Sequence, residues 1–195
     1  MKRNIIIAGV PRAGKTTIAS RISKKYGYQH ISMDAIIAGF ETVFPQLGIS
    51  TMVEMESVDI LYNISNKIAP FISQMIKSDE FDEAEAGMLI DIYQLLPEDY
   101  VKHIQNEHTQ IFYFLTSNVT PEERFVIQRK HDTKKDYTFY MSDDEIRFNC
   151  EFMVHQSKLM KNECIKYNLP YYETAHNRED VFETFLASLE KQHKE

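Results

Sequence analysis

The chain has 195 residues, 43% hydrophobic and 26% charged, with a net charge of −7 at neutral pH. That length builds one well-buried core and falls short of two ordinary domains, and the composition excludes a disordered chain. The acidic balance argues against a nucleic-acid partner, which needs a basic surface to displace counterions from phosphates.

The first element is a strand from Asn4 to Ala8, with the β-branched run Ile5-Ile6-Ile7 expected of a buried parallel strand. It runs into Gly9-Val10-Pro11-Arg12-Ala13-Gly14-Lys15-Thr16, a full match to the phosphate-binding pattern G-x-x-x-x-G-K-[ST]. Gly9 and Gly14 let the backbone curl, so that amides from Gly9 through Arg12, Ala13 and Gly14 to Lys15, Thr16 and Thr17 face an anion at the start of the next helix. Lys15 is expected to reach the β- and γ-phosphates of ATP, and Thr16 to ligate Mg²⁺. Ile18 and Ile22 continue at helical spacing to Tyr26, where Gly27 is a stop signal.

Gln29 to Ser32 reads as a second strand ending near Asp34, which is also placed to cap a helix from Ala35 to Phe44. From Thr51 to Lys77 apolar residues, Val53 and Met55 among them, recur at mostly helical spacing, which predicts one long helix or a pair broken near Pro70. Gly87 to Ile92 reads as a third strand carrying Asp91, and Pro97-Glu98-Asp99 opens a helix. Gln110 to Thr116 is a fourth, strongly apolar strand. Thr120 with Glu123, and Ser142 with Glu145, are capping boxes that open two more helices, the second running to about Tyr167. Between them, His131 to Met141 shows no helical period. Pro170 to Thr174 gives a last strand, Glu179 to Lys191 a last amphipathic helix, and the tail from Gln192 is expected to fray.

Strands alternating with helices predict an α/β fold: one domain over residues 1–195 with a five-stranded parallel sheet and helices on both faces. Ligands of such sheets bind at the carboxyl ends of the strands, which selects Gly9 to Thr17, Asp34, Asp91 and the segment Thr116 to Asn118.

Two cysteines, Cys150 and Cys164, have no metal-ligand spacing and read as small apolar helix residues, and seven scattered histidines argue against a structural metal site. No apolar run reaches the length that spans a bilayer, and the apolar stretch after Lys2 and Arg3 enters the phosphate loop rather than forming a signal peptide. A cytoplasmic protein without a membrane partner is expected.

The phosphate loop and the stretch Tyr26-Gly27-Tyr28-Gln29-His30-Ile31-Ser32-Met33-Asp34 resemble the small P-loop kinases, the group that includes adenylate, shikimate and gluconate kinases. The resemblance is specific in the first forty residues and topological beyond them. It departs from adenylate kinase at two points. Ile37 stands where that family grips the AMP phosphate with an arginine, and the strand segment Ile90-Asp91-Ile92-Tyr93-Gln94 lacks the D-G-F-P-R pattern. Charge-assisted grips on a phosphate are strong, and their loss argues against AMP as acceptor.

The resemblance implies a Mg²⁺- and ATP-dependent transfer of phosphate to a hydroxyl of a small molecule. Asp34 would orient that hydroxyl, accept its proton or hold Mg²⁺ through water, Asp91 would hold Mg²⁺ or substrate with Glu85 as a weaker stand-in, and residues 124–141 would form a lid whose Arg129 closes over the phosphates and whose Arg124 lies against the adenine or the phosphates. Lys130, Lys134 and Lys135 lie on solvated faces or assist there. Arg12 reaches substrate, lid or solvent, and Tyr137, Phe139 and Tyr140 form a wall of the acceptor site or fold back on the core. A nucleotide-binding regulator, a kinase relative that has lost catalysis, and a polynucleotide kinase are the alternatives. Guanine recognition is unsupported, since Leu115-Thr116-Ser117-Asn118-Val119 is not an Asn-Lys-x-Asp segment.

Overall fold

Ile5, Ile6 and Ile7 are all buried, as side chains must be on a strand covered on both faces. The computed structural model describes residues 4–51, 58–79 and 87–194. Five strands, β1 (Asn4–Gly9), β2 (Gln29–Ser32), β3 (Met88–Asp91), β4 (Thr109–Leu115) and β5 (Tyr171–Glu173), pair in parallel in the order β2-β3-β1-β4-β5. Among the described residues seven α-helices connect and flank them: α1 (Lys15–Tyr26), α2 (Met33–Val43), α3 (Val58–Asp79), α4 (Pro97–His103), α5 (Pro121–His131), α6 (Asp143–Lys166) and α7 (Arg178–Lys194).

Register sets the top of the sheet. Asp91 pairs with Ile7 on one side and with Ser32 on the other. The chain ends of β1, β2 and β3 therefore lie level, and the segments leaving these three strands share one rim.

The phosphate loop is wedged between β4 and α7. A Cβ on Gly9, whose φ is +124°, would stand 2.0 Å from the Phe114 carbonyl oxygen, so only glycine lets β1 leave the sheet there. On Gly14, φ +91°, it would meet Phe182 Cζ of α7 at 2.6 Å. Phe182 belongs to an aromatic cluster: its ring lies 5.9 Å from Phe114, and Phe185 lies 4.8 Å from Phe112. That packing fixes α7 against the loop.

Several elements differ from their sequence expectation. α2 starts at Met33, so Asp34 sits in the first turn rather than at the cap, and Ser32 at the cap makes no side-chain bond. α3 runs through Pro70 as one helix. Pro70 is exposed, where water can serve the carbonyl that loses its amide partner. α7 begins one residue early, at Arg178. The aperiodic segment after α5 contains a 3₁₀ turn, Tyr137–Tyr140. Both capping boxes, Thr120 with Glu123 and Ser142 with Glu145, are formed. Cys150 and Cys164 are buried and free, and burial pushes the Cys164 thiol up to about 12. Among the described residues no helix is long and apolar enough to cross a membrane. Val53, Met55 and Glu85 lie outside the described residues.

Candidate functional site

Because β1 ends on Gly9 and α1 starts at Lys15, the intervening turn presents its backbone to the rim of the sheet. Arg12 holds it in a left-handed conformation, φ +61°, and Gly14 precedes α1 in another. Thr174, at the end of β5, donates through Oγ1 to the Ala13 carbonyl at 2.9 Å and braces the turn from below. Next to it opens a cleft of about 390 Å³ bounded by Arg12, Lys15, Thr16, His131, Asp136 and Arg178, within the usual size of a small-molecule site.

Cations converge on this turn. Lys15 is buried, donates to the Val10 carbonyl at 2.9 Å and lies 5.9 Å from the centre of the Tyr93 ring. Burial lowers its pKa, against the opposing pull of Asp91 and Asp34. Arg124, only 1% exposed, donates to the Pro11 carbonyl at 3.3 Å. Arg178 donates to the Arg12 carbonyl at 3.0 Å. Burial brings the Arg124 guanidinium down to about 10, Arg178 and Arg12 adding to the effect, and burial likewise lowers Arg178. The Nε of both arginines is buried with no hydrogen-bond partner among the described residues. Like charges crowded together with donors unspent form a site built for an anion.

The acids stand on the other side of the loop. Asp91, at the last position of β3, is 5% exposed; its Oδ2 lacks a hydrogen-bond partner among the described residues and lies 3.6 Å from His30 Nε2. Asp34, in the first turn of α2, is open to solvent, yet its carboxyl is held above the ordinary carboxylate range. Desolvation is the main cause and Asp91 adds to it, while Lys15 and a hydrogen bond from Gln94 oppose it. Asp34, Asp91 and Lys15 thus form one electrostatic group at the ends of β2, β3 and β1.

These residues suit Mg²⁺. An orphaned carboxylate oxygen on Asp91 and the exposed Thr16 hydroxyl are hard oxygen donors beside a phosphate-binding turn. Among the described residues no group of three or more His, Cys, Asp or Glu could hold a metal unaided. Mg²⁺ is often bound by one or two protein oxygens together with phosphates and water.

Residues 132–138, in the segment after α5, are tied to the loop. Arg12 donates to Asp132 Oδ1 at 2.5 Å and to Asp136 Oδ1. Thr138 donates to the same Asp132 oxygen at 2.7 Å, and Thr133 closes on Asp136 Oδ2 at 2.8 Å. Arg129 is engaged within the same segment, its Nη1 3.9 Å from Oδ2 of the Asp132 carboxylate that Arg12 binds. Its guanidinium donates to Asp143 Oδ1 at 2.6 Å and to the Met141 carbonyl at 2.8 Å, pinning the segment to the start of α6. Tyr137 and Tyr140 are exposed rather than folded on the core.

The sequence-selected residues are thus divided. Gly9, Arg12, Ala13, Gly14, Lys15, Thr16 and Thr17 form the turn and α1 start, Arg124 is brought to it from α5, Asp34 and Asp91 flank it, and Arg129 reaches Asp132, Asp143 and the Met141 carbonyl. Thr116 and Ser117 are buried; the Thr116 amide donates to Ser157 and Ser117 bonds Glu173, so that segment is scaffold. Sequence reasoning missed Arg178, Gln94 and Thr174. No local pattern marks them, because each acts on a loop or acid far away in the chain.

No protein-family model matches the chain, and no curated protein does. Solved structures do. The shikimate kinase of Bacteroides thetaiotaomicron aligns over 99% of this chain and 99% of its own, with 15% identity and a TM-score of 0.54. A gluconokinase of Sinorhizobium meliloti 1021 aligns over 97% and 93%, with 13% identity and a TM-score of 0.53. The deoxyadenosine kinase of M. mycoides, solved with dATP bound, aligns over 96% and 99%, with 16% identity and a TM-score of 0.52. The five-stranded parallel sheet is therefore the small P-loop kinase fold over nearly the whole chain.

Proposed function

We propose that the chain is an ATP- and Mg²⁺-dependent phosphotransferase acting on a hydroxyl of a small molecule. The observation that carries this reading is the convergence of Lys15, Arg124 and Arg178 on the turn from Gly9 to Thr17, with buried guanidinium nitrogens unsatisfied, opposite the carboxylates of Asp34 and Asp91. One half of the site is suited to a triphosphate, the other to a neutral nucleophile beside a base.

In this reading Lys15 neutralises charge on the β- and γ-phosphates, and the amides of the turn hold them in place. Arg124 and Arg178 lie along the same chain of phosphates. Asp34 orients the acceptor hydroxyl and takes its proton as that oxygen bonds to the γ-phosphorus; the bond from phosphorus to the ADP oxygen breaks in the same displacement. Thr16 and Asp91 would hold Mg²⁺, which would supply charge neutralisation to the phosphates. The protein does little covalent chemistry, and positioning with preorganised charge supplies the rate.

The test is acceptor-dependent release of ADP from Mg-ATP, screened over hydroxyl-bearing metabolites with Lys15→Ala as the control. Release that requires acceptor, Mg²⁺ and Lys15 supports the reading. Mg-ATP binding without transfer to any acceptor favours a regulatory or lapsed protein, and absence of ATP binding removes the proposal altogether.

A further inference from the structure

Charge is sorted along this chain. Residues 26–101 hold thirteen of the 29 acidic side chains but only two of the 22 lysines and arginines, Lys67 and Lys77. That stretch carries a net −11, and the remainder of the chain +4. It supplies β2, α2, α3 and β3, which is the half of the sheet on one side of β1. The other half supplies Arg124 and Arg178 to the phosphate turn. Among the described residues the half with β2 and β3 carries seven acids against two lysines, so β1 separates a cationic nucleotide side from a more acidic side that holds Asp34 and Asp91.

The described cations near that boundary are already engaged. Arg12 is bound by Asp132 and Asp136, Lys15 lies at the phosphate turn, and Lys67 donates to the Leu47 carbonyl at 2.6 Å. Among the described residues the buried groups left over there are acceptors, apart from His30 Nε2, which stands 3.6 Å from Asp91 Oδ2. Gln94 is fully buried, and its Nε2 donates to the Thr51 carbonyl at 3.4 Å while its amide also reaches Asp34. Its Oε1 has no partner among the described residues, and neither does Asp91 Oδ2. A buried carbonyl oxygen left unpaired is costly, so the ligand that belongs here brings donors.

Resting on the phosphotransferase reading, we infer that the acceptor carries no phosphate or carboxylate: it is an uncharged or amine-bearing polyhydroxy compound, held by its donors on Asp34 and Gln94 Oε1. A carboxylate or phosphate on the acceptor would enter a half-site of its own sign with no free arginine to meet it, and like charges brought together are the usual device by which sites reject a ligand. An ammonium or a set of hydroxyls meets a carboxylate and an amide carbonyl instead.

The experiment offers the protein, with Mg²⁺ and γ-labelled ATP, hydroxyl compounds in matched sets: glucosamine, glucose and gluconate; adenosine and AMP; myo-inositol and inositol phosphate. Labelled product is expected from a cationic or neutral member at a kcat/KM at least about tenfold above the anionic member of its set. An anionic member equal to or better than its partner overturns the inference and leaves the phosphotransferase standing. Transfer to no member while Mg-ATP still binds overturns the phosphotransferase reading, and the inference falls with it. For the accepted compound, Gln94→Leu is expected to raise KM about tenfold while the dissociation constant for ATP stays put. An unchanged KM would remove Gln94 Oε1 from the acceptor site.

Discussion

Arg12 and Asp132 are 120 residues apart in the chain, yet the guanidinium of one donates to the carboxylate of the other at 2.5 Å. The Asp132 side chain is 2% exposed, and Asp136 takes the other arm of Arg12. The turn after β1 and the segment after α5 are therefore latched by one arginine held in a left-handed backbone conformation.

That latch has a signature in pH. Arg12 is the main reason the Asp136 carboxyl lies at about 2, with Thr133 contributing. A carboxylate depressed in the folded state adds stability that is present above its unfolded value of about 3.9 and lost as pH falls through about 2. The carboxyl carbon of Asp136 should titrate near 2 by NMR, and Arg12→Ala should move that midpoint upward. A midpoint that does not move would mean the latch does not form in solution.

Hydrogen exchange reads the same segment. Amides over residues 132–141 should exchange faster in Arg12→Ala, because fewer bonds then hold the segment shut. In the wild type, exchange over residues 124–141 should slow when Mg-ATP and acceptor bind together, by the differential affinity of the ligands for the closed state. Equal protection with and without ligands would make this stretch fixed scaffold.

Lys15→Met should lower turnover by about 10²–10³-fold, the usual loss when one preorganised donor to a developing oxyanion is removed. The fold should survive, since burial already lowers the Lys15 pKa and its charge is a cost to the ligand-free protein. Thermal unfolding should occur no lower than in the wild type. Unaltered turnover would sink the phosphate-loop assignment.

Asp34→Asn should reduce kcat far more than it weakens ATP. Desolvation, helped by Asp91, raises the Asp34 pKa, so the ionised form that accepts a proton appears only as pH rises past the ordinary carboxylate range. The acid limb of kcat/KM for the wild type should report that raised value and vanish in the variant. The raised value also makes the ionised carboxylate a stability cost above it, so the variant should be at least as stable at neutral pH. Weaker ATP binding with kcat intact would place Asp34 on the nucleotide side instead.

Arg178→Ala should weaken ATP about 10–100-fold, the worth of a charge-assisted bond to an anion. Calorimetric titration of Mg-ATP measures it. Because burial already disfavours the Arg178 charge, the variant should keep its melting temperature. An unchanged affinity for ATP would mean that Arg178 only supports the Arg12 carbonyl.

Residues that act on their immediate neighbours could be read without a structure. Eight consecutive residues, Gly9 to Thr16, specify the phosphate turn because glycine torsions and a helix start are local matters. The capping boxes at Thr120 and Ser142 are likewise complete within four residues. Short apolar strands alternating with helices were enough for a five-stranded parallel sheet. Local spacing did not reveal where long side chains end. Arg129 has the composition of a lid arginine, but Asp143, Asp132 and the Met141 carbonyl claim its donors. Arg178 reaches the Arg12 carbonyl from 166 residues away because α7 packs its Phe182 against Gly14. Gln94 gains meaning only once register sets Asp91 beside Ser32 and brings Asp34 over it. Torsions and caps are settled within a few bonds of the chain, whereas an arginine or an amide acquires its role from whichever surface the packed core places within its reach.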